Sequence, residues 1–179
     1  MRQIWAGRAT RLFYPMNKRV LILGVGNVLL GDEGFGVHAM RYLSEHYRWP
    51  EGVRLIDGAT LGLMLMGELM DCDLVVVLDI ATAGNPPGTF YEGDGDALGD
   101  SLTLPQSMHQ TGIKDVLISC ELAGYAPEAI LFCMEPYKYQ IIQAKLTEEA
   151  SARLPEFCRR VVVRLREEGI EASPMADSD

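Results

Sequence analysis

Residues 18–37 read KRVLILGVGNVLLGDEGFGV, and this stretch decides the fold. Val20–Val25 (VLILGV) is a continuous run rich in Val, Leu and Ile, the pattern of a strand covered on both faces. A glycine-rich turn leads from it into Glu33–Arg48, where Val37, Met40, Leu43 and Tyr47 recur at three- and four-residue steps and predict a helix with an apolar stripe. Buried strand, tight turn and amphipathic helix, in that order, form the opening unit of a parallel sheet.

Outward from this unit the alternation repeats. Val53–Ile56 predicts a second strand, Leu61–Met70 (LGLMLMGELM) a Met-rich second helix, and Leu74–Ile80 (LVVVLDI) a third buried strand. Asn85–Gly88 is a turn, Thr89–Tyr91 is a candidate for a further short strand, and Glu92–Gln110 reads as a long loop. A third helix is expected over about Gly112–Leu122, a strand over Ile130–Met134, and a last helix over about Glu148–Glu168. That last helix has acids in its first turn and arginines later, as the helix dipole favours, with Leu154, Phe157, Val161 and Leu165 as its stripe. Pro155 removes a donor inside it, so a kink or restart is expected there. The order predicts a three-layer α/β/α sandwich with a mostly parallel central sheet.

The chain has 179 residues, which fits one domain, expected over residues 16–170. Residues 1–15 carry three arginines and no acid, and Met16 opens the strand-bearing stretch. They are read as an N-terminal extension or a mis-assigned start, with a transit peptide as the alternative. Residues 171–179 (EASPMADSD) are read as a flexible tail.

Twenty-five acidic against sixteen basic residues give a net charge of −9, which argues against a nucleic-acid partner, since binding there needs a basic stripe. Four cysteines, Cys72, Cys120, Cys133 and Cys158, show no CxxC and no zinc-type spacing, and are read as reduced, mostly buried thiols. No segment reaches the ~18 consecutive apolar residues of a membrane span. The N-terminus has no secretory apolar core. A cytoplasmic protein without membrane insertion is the expectation.

In parallel sheets ligands bind outside the carboxyl ends of the strands. That rule selects the loop after Val25, Asp57–Thr60, and Asp79 with the loop after it. The glycine-rich turn is not a dinucleotide fingerprint. Leu29 occupies the third glycine position, no GK[ST] follows, and Asp32 and Glu33 would repel a phosphate at the helix start. Glu33 by itself reads equally as an acid favouring its helix N-terminus. Asp79 stands in an otherwise apolar run, where a carboxylate is costly unless paired or bound, or serves as a cap. His109, in Ser107–Thr111 (SMHQT), is a loop histidine, whereas His38 and His46 fall in a predicted surface helix. Together Glu33, Asp79 and His109 would offer two carboxylates and one imidazole at one rim. Such a set suits a divalent metal such as nickel or zinc, or general acid–base work on a water. Spacing leaves both open.

Four motifs, GVGNVLLGDEGFGV at 24–37, DGAT at 57–60, Asp79 after LVVVL, and SMHQTGIKDVL at 107–117, resemble the maturation endopeptidases of nickel–iron hydrogenases. The resemblance runs from about Arg19 to Glu171. It implies a phosphorylase/hydrolase-like sandwich and carries the family's metal-contacting roles onto Glu33, Asp79 and His109. It further implies removal of the C-terminal propeptide of the hydrogenase large-subunit precursor after nickel insertion, with nickel carried by the precursor. A surrogate divalent metal fits the same donors. The absence of any Ser or Cys nucleophile motif and of HExxH is consistent with a protease that uses its partner's metal. Either an aspartic-type carboxylate or the metal would activate the water.

At the second motif Ala59 stands where the family usually has glycine, which counts against a positive φ there. Asp57 and Thr60 read as turn and capping residues or as part of substrate recognition. Two other functions remain open. One is a nucleotide-binding enzyme built on the glycine-rich turn. The other is a non-proteolytic assembly chaperone that grips the precursor through its acidic rim and the adaptable Met-rich helix.

Overall fold

The computed structural model describes residues 18–59, 62–94, 110–125 and 127–175. In chain order the elements are β1 (Val20–Val25), a 3-10 turn (Asp32–Gly34), α1 (Phe35–His46), β2 (Tyr47–Arg48) and β3 (Val53–Ala59), followed by a second 3-10 turn (Gly62–Leu65) and α2 (Met66–Met70). Then come β4 (Leu74–Ile80), β5 (Phe90–Asp94), α3 (Gln110–Leu122), β6 (Glu128–Met134), α4 (Glu148–Glu167) and β7 (Ser173–Pro174).

Five strands form the central sheet in the order β3-β1-β4-β6-β5. The first four are parallel, and β5 closes one edge antiparallel to β6. Strand alternation divides the core in two. Val20, Ile22, Val76 and Leu78 face α1 and α4 and pack with Phe35, Leu43 and Phe157. Leu21, Leu23, Val75 and Val77 face α2 and α3 and pack with Leu65, Leu69, Val116 and Cys120. The rings of Phe35 and Phe157 meet edge to face at 5.0 Å, joining α1 to α4. The result is the α/β sandwich with a mostly parallel sheet that the strand pattern predicts.

Several boundaries differ from the sequence reading. The first helix ends at His46, because Tyr47 takes extended geometry and pairs with Pro174 across β2 and β7. β3 extends through Asp57 and Gly58 to Ala59, so three of the four residues of the DGAT motif are strand. β5 reaches Asp94, three residues into the expected loop, because its backbone pairs with β6 through Ile130. The Met-rich segment begins as a 3-10 turn, burying Leu65 and Leu69 while Leu63 and Met64 face out.

α4 continues through Pro155 without a restart. Pro155 and Ser151, whose carbonyl loses its i+4 donor to the proline, are both exposed, so water can satisfy the orphaned group. Ala150, Phe157, Cys158 and Val161 are buried on either side and hold the helix on the core. The segment read as a flexible tail is fastened as far as Met175. Ile170 and Ala172 are buried, and the Met175 amide donates to the His46 carbonyl at 2.8 Å. The expectations for residues 1–15, Thr60, the loop 95–109 and residues 176–179 lie outside the described residues.

Candidate active site

The carboxyl edge of the sheet is built on close backbone contact. Gly26, with φ of 130°, ends β1, and its amide donates to the Ala59 carbonyl at 3.0 Å, tying the β1 and β3 ends together. A Cβ at Gly26 would lie 2.0 Å from the Glu33 carbonyl oxygen. A Cβ at Gly36 would lie 2.0 Å from the carbonyl oxygen of Leu78 and 2.5 Å from that of Val25. These two glycines therefore let the 3-10 turn and the start of α1 sit directly on the ends of β1 and β4. The glycine pattern serves backbone packing, which explains why it departs from the phosphate-binding spacing.

That packing brings Glu33 to the strand that carries Asp79. Glu33 is 6% exposed and Asp79 1%. Asp79 alternates with Val75 and Val77 on the α2/α3 face and accepts a hydrogen bond from the Ile80 amide at 2.8 Å. Its register partner is Cys133 of β6, whose thiol is pushed well above its usual range by burial and by the Asp79 charge. α3 lies on this same face and leads to Glu128, the amino end of β6, so its first turn lies at the carboxyl edge. His109 immediately precedes α3 in sequence and lies outside the described residues. Among the described residues no three His, Cys, Asp or Glu side chains gather as a metal-binding group.

Asp57 lies at the end of β3. Its Oδ1 accepts from the Ala59 amide at 3.1 Å and its Oδ2 from Arg41 Nη2 at 2.8 Å. Ala59 itself has φ of 39°, so the alanine occupies the left-handed conformation that its identity counted against. The Asp57 bond and the Gly26 amide hold it there. His38 on α1 is half-buried rather than on a surface face. Desolvation, and then the Arg41 charge, lower its pKa, with Asp57 opposing.

The roles of two carboxylates that brace this rim, Asp32 and Glu135, escaped the sequence reading. Asp32, fully buried, accepts from the amides of Tyr137 (3.0 Å), Lys138 (2.9 Å) and Thr147 (2.8 Å), and from Thr147 Oγ1 at 3.1 Å. Glu135, at the end of β6, accepts from the amides of Ala83 (2.9 Å) and Gly84 (3.1 Å) and from the Tyr91 hydroxyl at 2.5 Å. It thereby anchors the loop that follows Asp79. The signal for Asp32 was its place beside Glu33 together with a threonine ahead of Glu148 and Glu149 that could cap the last helix. For Glu135 the only signal was a carboxylate directly after an apolar strand.

All four cysteines are free and buried. Burial raises their pKa values, that of Cys72 up to about 12, so none resembles a nucleophilic thiolate.

The mostly parallel α/β sheet thus carries the buried carboxylates Glu33 and Asp79 at its carboxyl edge, and none of its four cysteines is an activated thiol. The profile of the family described as hydrogenase maturation protease matches residues 37–163. The hydrogenase expression/formation protein HupM of Azotobacter chroococcum mcd 1 is 36% identical over 157 residues, covering 87% of this chain and 75% of HupM. The hydrogenase 2 maturation protease of Escherichia coli K12 is 32% identical over 163 residues, 87% of this chain and 96% of that protein. The solved structure of the hydrogenase maturating endopeptidase HybD from E. coli superposes with a TM-score of 0.78 at 32% identity, over 89% of this chain and 99% of HybD. The chain belongs to the hydrogenase maturation protease family.

Proposed function

We propose that this chain is an endopeptidase that removes the C-terminal propeptide of a nickel–iron hydrogenase large-subunit precursor after nickel insertion. The observation that carries this reading is the pair of buried carboxylates, Glu33 and Asp79, at the edge of adjacent strands in a chain of this family. Glu33, Asp79 and His109 contact the nickel borne by the precursor, which makes the metal the recognition determinant. A Glu/Asp/His donor set suits a borderline divalent ion.

Hydrolysis follows from the same groups. Water adds to the scissile carbonyl carbon as a carboxylate accepts its proton, the C–N bond breaks, and the proton passes to the leaving amine. The carboxylates supply the proton transfer, as in an aspartic-type peptidase, and the precursor's metal polarises the carbonyl. In this reading the step takes place in the cytoplasm. Among the described residues no helix is long and apolar enough to cross a membrane.

The test mixes the purified protein with nickel-loaded and nickel-free precursor and follows the precursor's mass. The loaded form is expected to lose its C-terminal peptide and the nickel-free form to stay intact. Equal cleavage of both would defeat nickel recognition. Binding without any loss of mass would favour the chaperone.

A further inference from the structure

We infer that Leu29, Tyr139 and Ile142 form an apolar lip that docks the uncharged, extended segment of the precursor beside the scissile bond. This rests on the endopeptidase reading above and adds to it the surface that grips the substrate. Leu29 is 60% exposed and Ile142 97%, and Tyr139 is also exposed. Single exposed apolar residues need no explanation, but these sit together on two loops that hold each other. The Gly31 amide donates to the Gln143 carbonyl at 2.9 Å, and the Gln143 amide donates to the Leu29 carbonyl at 3.0 Å. Gly31 also pairs with Tyr139, and the Asp32 amide donates to the Lys138 carbonyl at 2.9 Å.

The backbone beneath the lip is thus set in advance, which lowers the ordering cost of binding. The lip is also continuous with the site, because the loop that bears Leu29 runs directly into Asp32 and Glu33. Across the carboxyl edge, on the α2/α3 side, the 3-10 turn after β3 exposes Leu63 and Met64. Exposed apolar side chains therefore stand on loops that leave the carboxyl ends of β1, β3 and β6, the same edge at which Glu33 and Asp79 are buried. Hydrolysis of one peptide bond requires the flanking residues to be held at those carboxylates. The lip's own side chains are uncharged, so the segment they fit is an apolar peptide. A second copy of the chain seated on the lip would instead obstruct the approach to Glu33.

The experiment compares cleavage of nickel-loaded precursor by the wild-type chain, by L29S/I142S, and by L122S. Leu122 is 85% exposed at the far end of α3, near the amino edge of the sheet, and serves as the control. The double variant is expected to raise KM at least tenfold, with kcat changed less than threefold and an unchanged melting temperature. L122S is expected to match the wild type. A KM within twofold of wild type in L29S/I142S overturns the docking lip, as does an equal rise in L122S. Conversion of a wild-type dimer to a monomer by L29S/I142S, read by light scattering, also overturns it by assigning the lip to a second copy. A wild-type chain that leaves the loaded precursor uncut would refute the endopeptidase reading itself, a result distinct from all of these.

Discussion

Asp32 and Thr147, 115 positions apart, are joined by a relay in which the Thr147 amide and hydroxyl both donate to the Asp32 carboxylate while Thr147 Oγ1 accepts from the Ala150 amide as the N-cap of α4. One buried carboxylate therefore fixes the last helix to the turn that carries Glu33. Adjacent acids in the sequence thus divide the work in the proposed function, Asp32 binding backbone and Glu33 belonging to the proposed site. Asp32→Asn keeps the shape but swaps an acceptor oxygen for a donor and leaves buried donors unsatisfied. It is expected to lower unfolding free energy by about 3 kcal/mol, read by urea denaturation. Glu33→Gln is expected to leave that stability nearly intact, and a destabilisation equal to that of Asp32→Asn would reverse this division of labour.

Asp79→Asn, Glu33→Gln and His109→Ala are each expected to reduce precursor cleavage by ~10²-fold or more while the chain stays folded. Mass spectrometry of the precursor with parallel circular dichroism checks both parts. Full activity in any one variant would remove that residue from the proposed site.

Glu135 is not one of the proposed reacting groups, yet it ties the Ala83 and Gly84 amides, in the loop that follows Asp79, to Tyr91. Glu135→Ala is expected to lower kcat for precursor cleavage about tenfold with little change in KM, because Asp79 loses its fixed loop. Tyr91→Phe, which removes one of the donors, is expected to give a smaller loss. A change confined to KM would place Glu135 in substrate binding instead.

Ala59 holds a left-handed backbone at φ of 39°, a conformation that glycine adopts without a Cβ penalty. Ala59→Gly is expected to stabilise the chain by up to about 1 kcal/mol, and Ala59→Val to destabilise it by at least as much. Thermal unfolding of the two variants reads both signs, and a loss in Ala59→Gly would contradict the strain.

The lowered pKa of His38 makes acid stability a further check. As pH falls through 6.5, the unfolded chain takes up the proton before the folded one does, so stability decreases toward acid and is fully present above 6.5. His38→Gln is expected to flatten that part of the stability profile. An unchanged slope below pH 6.5 would show that His38 is as readily protonated in the folded chain.

Much of this protein was legible in the linear order of its residues. Runs such as Val20–Val25 and Leu74–Ile80 can be satisfied only by strands covered on both faces, so the layered parallel architecture followed from composition along the chain. Asp79 could be singled out because a carboxylate in such a run needs a reason, and the family motifs pointed to Glu33 and His109. The role of Asp32 could not be read, since its partners Tyr137, Lys138 and Thr147 are distant in sequence and three of its four donor groups are backbone amides, which no residue type advertises. Glu135 escaped for the same reason. The fastening of residues 170–175 also depended on a distant neighbour, because β7 exists only by pairing with β2. Local pattern determines which segments are buried. Where a buried polar group finds its partners, and which exposed side chains share an edge, is decided only when the chain closes on itself.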